Sequence, residues 1–96
     1  MLTIIKGVIA SQPAIVSMED YAAAFVLIKT KEGYQKCYCR VERTRRVYTS
    51  DMTMFSDVMV SSIGDEVLVE VFVSPAGQVD GKIKNFRNDT KDLGYI

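Results

Sequence analysis

Residues 34–40 place two tyrosines and two cations on alternate positions: Tyr34, Lys36, Tyr38 and Arg40. In an extended chain alternate residues share a face, about 6.5–7 Å apart. A line of flat rings and cations at that spacing suits a single nucleic-acid strand. The rings stack on exposed bases, at roughly 1–3 kcal/mol per base, while the cations neutralise phosphates. Lys29 and Lys31 lie just upstream, and Arg43, Arg45 and Arg46 just downstream. Lys82, Lys84 and Phe86 offer a neighbouring row if the last strand packs beside the first. The same residue types serve other ends. Tyrosine is favoured on strands, and Tyr34 and Tyr38 can pack across strands on Phe25 or Leu27. Tyr and Arg are also enriched in protein interfaces. The three arginines can pair with Asp51 and Asp57 instead of phosphate.

Other chemistry is poorly supplied. The chain contains no His, which removes Ser-His-Asp and Cys-His catalysis and imidazole-based zinc sites. Its two Cys, Cys37 and Cys39, cannot complete a four-thiolate zinc site. One residue apart on one strand face, they read as reduced, buried, small hydrophobes of a cytoplasmic protein. The adjacent carboxylates Glu19-Asp20 and Asp65-Glu66 point to opposite faces of an extended chain and cannot act as a pair. The expectation is a protein without catalysis, metal or cofactor.

Charge is segregated along the chain. Residues 29–46 carry a net charge of +5 and residues 47–80 a net charge of −6, although the 96-residue chain sums to zero. Such blocks suggest one face attractive to a polyanion, unless the charges pair with one another on a solvated surface. No apolar run approaches a membrane span, and Met1-Leu2-Thr3-Ile4-Ile5-Lys6 does not read as a secretory signal.

The elements that must position these residues follow from periodicity. Residues 3–10 read as a strand, with Gly7 marking a bend or bulge. Residues 11–21 read as a loop, with Ile15-Val16 a short extended piece. The run Phe25-Val26-Leu27-Ile28 favours a buried strand over 22–30. Lys31-Glu32-Gly33 reads as a hairpin turn, with Gly33 supplying a positive φ. The next strand places Cys37, Cys39 and Val41 inward. Met52, Phe55, Val58 and Met59 show helical spacing behind Ser50 as N-cap and Asp51 in the first turn. In residues 66–73 four valines face the core, leaving Leu68 and Phe72 outward. The last strand, 78–87, puts Val79 and Ile83 inward and Lys82, Lys84 and Phe86 outward. Residues 88–96 read as a flexible tail beyond a domain of residues 1–87. The order is strand, strand, strand, helix, strand, strand. So short a sheet leaves exposed edges unless it closes. The expected fold is all-β with one short helix, a five-stranded OB-fold barrel; an α+β sheet with one helix is the alternative.

Three segments resemble the small bacterial or phage single-stranded DNA-binding proteins of the OB type. They are Ile4-Ile5-Lys6-Gly7-Val8-Ile9, then Phe25 to Ile28 leading into Tyr38-Cys39-Arg40-Val41, and Ile63-Gly64-Asp65-Glu66-Val67 onward through Gly77 to Ile83. The sequence shows neither the tryptophans that often stack bases in that family nor its long linker with an acidic tip. It is similar in this to tail-less versions, such as the primosomal replication protein B type. The resemblance implies single-stranded DNA as ligand, with RNA not distinguished, and replication or recombination proteins as partners. A homodimer or higher oligomer is expected, because one small barrel spans few nucleotides and Leu68 and Phe72 call for a cover.

Overall fold

The β-branched run at the N-terminus forms β1 (Leu2–Ile9), and Ala14–Ser17 forms the short β2. A hairpin of two ten-residue strands follows, β3 (Tyr21–Thr30) and β4 (Gly33–Glu42). Then come α1 (Ser50–Met59), β5 (Glu66–Val73), β6 (Val79–Asn88) and the two-residue β7 (Leu93–Gly94). The computed structural model describes residues 1–43 and 50–96. The expectations for Arg45 and Arg46 lie outside the described residues, as do those for the Ser50 and Asp51 side chains. Among the described residues the protein is mostly β with one short helix. No helix among the described residues is long and apolar enough to cross a membrane.

Five strands form a closed ring in the order β1-β5-β6-β4-β3, with β3 returning to β1. β2 pairs with the first half of β3, on the side that meets β1 at its other end, and β7 pairs with β6. The β3–β4 hairpin is regular from Tyr21 opposite Glu42 to Thr30 opposite Gly33. Its turn is pinned by Thr30, whose hydroxyl accepts from the Glu32 amide at 3.2 Å and donates to the Gly33 carbonyl at 3.0 Å. Gly33 adopts a φ of 126°, as expected.

Two narrow seams close the ring. β1 meets β3 only at Val8–Lys29 and Ile9–Ile28, and β4 meets β6 in parallel at Tyr38–Lys82. A glycine lies at each seam. A Cβ on Gly7 would sit 2.4 Å from the Lys29 carbonyl oxygen, and one on Gly81 would sit 2.3 Å from that of Lys36. Only a residue without a side chain lets these backbones approach so closely.

Alternation sends Val26 and Ile28, Cys37 and Cys39, and Val67, Val69 and Val71 into the ring, where all are buried. Helix α1 packs Val58 into this core, with Met54, Phe55 and Met59 against its margin. Burial pushes the Cys37 thiol up to about 11.

The last strand departs from simple alternation. Along β5, Val69 faces Phe86 and Glu70 faces Asn85, but Val71 faces Ile83 and Phe72 faces Asp80. One residue of β6 is skipped, then two more, so the side-chain parity flips. Phe86, expected outside, is therefore buried in the core, and Val79, expected inside, is exposed. The strand also packs between β5 and β4 rather than beside β1. Leu68 and Phe72 are half-buried, so they leave no bare apolar face on β5.

The C-terminal segment, expected to be a flexible tail, is tied back to the ring. Asn88, the end of β6, is fully buried, and its side-chain amide donates to Ser61 Oγ at 2.9 Å and Asp65 Oδ2 at 2.8 Å. Its Oδ1 accepts from the Lys91 amide at 2.9 Å, and the Lys91 ammonium reaches Ser62 Oγ and Asp65 Oδ2. These bonds hold the Asp65 carboxyl down at about 2; the Lys91 contact contributes most, then Asn88 and the Ser62 amide.

Candidate nucleic-acid interface

The outward face of the β3–β4 hairpin is set by its register. On β3 it presents Tyr21, Ala23, Phe25, Leu27 and Lys29, opposite Glu42, Arg40, Tyr38, Lys36 and Tyr34 of β4. The expected line of Tyr34, Lys36, Tyr38 and Arg40 thus occupies one face of one strand. Lys29 is paired with Tyr34 across the ladder, and Lys31 stands in the turn beyond. The parallel seam brings Lys82 beside Tyr38, and Lys84 follows it, exposed, on β6. Phe86 does not join this face.

The four residues of the line differ in their freedom. Tyr34 is 65% exposed. Tyr38 is half-buried against Phe25, with ring centroids 5.7 Å apart and planes inclined by 30°. This is the cross-strand packing open to Tyr38 from its sequence position. The Arg40 guanidinium lies over the Tyr21 ring, 3.9 Å from its centroid, and its Nε is 3.2 Å from Glu42 Oε1. Such a held guanidinium keeps one flat face toward solvent at little cost in rotamer entropy. Lys36 stands exposed between these two tiers.

Arg43 is turned to another task. Its amide donates to the Asp20 carbonyl at 2.8 Å, and its guanidinium donates to the Tyr21 carbonyl at 3.4 Å and to the Ser17 hydroxyl. It braces the turn between β2 and β3. Among the described residues Lys29, Lys31, Lys36, Lys82 and Lys84 have no ion-pair partner, while the pairs that form use Arg40, Arg87 and Lys91. Five lysines around one ringed face therefore keep their charge available.

Comparisons of the chain with family models, with curated proteins and with solved structures return no match.

The site has to be read from its own residues. Sequence reasoning missed Tyr21 as a member of the face, because residues 11–21 read as a loop, and it offered Phe25 only as one of two packing partners for the tyrosines. The signal was available: a turn at residues 31–33 fixes the ladder and places Phe25 opposite Tyr38. The carboxylates Asp65 and Glu66 part as expected. Asp65 is buried in the Asn88 network, and Glu66 is exposed at the start of β5.

Proposed function

We propose that this protein is an OB-fold domain that binds single-stranded DNA without catalysis, through the outward face of β3 and β4. Two considerations support the fold reading. The ring runs β1-β3-β4-β6-β5 and back to β1, with the helix between its third and fourth strands in sequence. OB folds bind oligonucleotides on the face of their second and third strands, here β3 and β4.

The observation that carries the binding reading is the line Tyr34, Lys36, Tyr38 and Arg40, flanked on both neighbouring strands by lysines with no ion-pair partner among the described residues. Bases stack on the rings and on the Arg40 plane, and the lysines track the phosphates. The interaction involves no bond making. An oligomer extends the short site of one domain. The exposed apolar residues suited to its contacts are Ile15, Val16 and Met18 on and beside β2.

Those same residues favour a second reading, docking of a protein. Val16 pairs with Ala23 and Ala14 with Phe25, so an apolar margin runs along the β2 side of the face. Anisotropy of a fluorescein-labelled oligo-dT of about 30 nucleotides separates the two. Strand binding gives saturable, salt-sensitive titration that duplex DNA competes for poorly. Absence of binding at low salt overturns it and leaves the protein-docking reading.

A further inference from the structure

Beyond the seam at Val8–Lys29, β1 and the hairpin diverge. The wedge between them is an open cleft of about 1070 Å³. One wall is β1 from Thr3 to Val8, and the other is the hairpin tip from Lys29 to Gln35. Three lysines line it, Lys6 from the first wall and Lys29 and Lys31 from the second. The apolar residues Ile4 and Val8 are exposed there, and Tyr34 stands at its rim as well as on the β4 face.

We infer that this cleft is a second segment of the strand path, in which a single-stranded nucleic acid leaving Tyr34 turns around the hairpin tip and passes between Lys6 and Lys31. The inference rests on the proposed binding face and extends it to a part of the molecule that face does not include. Continuity is the first argument, because Lys29, Lys31 and Tyr34 belong to both surfaces. Charge is the second. The cleft's lysines have no ion-pair partner among the described residues, and they face each other from two strands that pair only at the seam. A phosphate between them neutralises both walls. Chemistry of the floor is the third: Ile4 and Val8 offer base-sized apolar surface beside those cations. The acids of the cleft limit where phosphates run. Glu32 lies at the turn and accepts from Thr30 Oγ1 at 3.4 Å, and Glu66 lies at the far end opposite Val8. The backbone of the ligand therefore follows the Lys6–Lys31 side, clear of Glu66.

Lys6→Gln tests this, because Lys6 is exposed and the variant keeps the stem that covers β1. Binding is measured as a function of salt with oligo-dT of about 4 and about 15 nucleotides, spanning the range one OB-sized site covers. Amide shifts of the labelled protein are recorded with the longer one. The expected result is a salt slope lowered by about 0.7 for the longer strand and unchanged for the shorter. Amides of Ile4 to Val8 should shift together with those of Tyr34 to Arg40. If the slope is unchanged and only the β4 amides shift, the cleft is overturned and the face stands. If wild type binds neither strand, the proposed face falls and the cleft with it.

Discussion

Tyr34 and Tyr38 occupy the same face of β4, yet one is free and the other is committed to a neighbour. Tyr38→Ala removes the ring that packs on Phe25, so a loss of DNA binding in that variant mixes contact with stability. Tyr34→Ala is the cleaner test. We expect it to weaken oligo-dT binding by about 1 kcal/mol or more with little change in melting temperature, read by anisotropy and thermal denaturation. Asp65 makes a second residue-scale prediction. Its carboxyl is held at about 2, below the ordinary 3.8, so the folded state favours the charged form. That stability is fully present above pH 3.8 and is lost as pH falls toward 2. Thermal melts from neutral to acid pH should show the decline in this window. Asp65→Asn should melt lower at neutral pH and respond less to acid across it.

The elements were legible in the sequence where one period governed a whole segment. Valines at 67, 69 and 71 and the pair Cys37 and Cys39 are inward as alternation requires, and the Gly33 turn fixes the hairpin. Alternation failed in β6, where the skipped residues around Lys84 and Gly81 invert the faces and carry Phe86 inside. Bulges depend on what the opposite strand does, so a single strand's pattern does not reveal them. The contacts of the C-terminal segment were not legible for a similar reason. Its polar residues look solvated until Asn88 and Lys91 meet Ser61, Ser62 and Asp65 from the turn after α1. The seams offer the prediction at this scale. Gly81→Ala places a Cβ 2.3 Å from the Lys36 carbonyl oxygen, so β4 and β6 must part. We expect a loss of about 1–3 kcal/mol in denaturant unfolding.

For the whole molecule, charge segregation in the sequence becomes a difference between strands. The basic block supplies the hairpin and its turn, while Asp65, Glu66 and Glu70 lie on or before β5. Binding of oligo-dT should therefore fall steeply with salt, with a slope of about 0.7 for each phosphate neutralised. A slope near zero in titrations at several salt concentrations would locate the affinity elsewhere. Which lysines share a surface was not legible, because Lys6 reaches the cleft of Lys29 and Lys31, and Lys82 reaches Tyr38, only through the closing of the ring.

The two cysteines give that closure a clock. Both thiols lie inside the ring on β4, Cys37 fully buried and Cys39 1% exposed, and burial holds the Cys37 thiol protonated at neutral pH. A thiol reagent reaches them only when β4 separates from β3 or β6, so the labelling rate counts openings of the hairpin wall. A strand lying across β3 and β4 should slow that rate. The protein thus carries its own reporter of occupancy on the hidden side of the proposed binding surface.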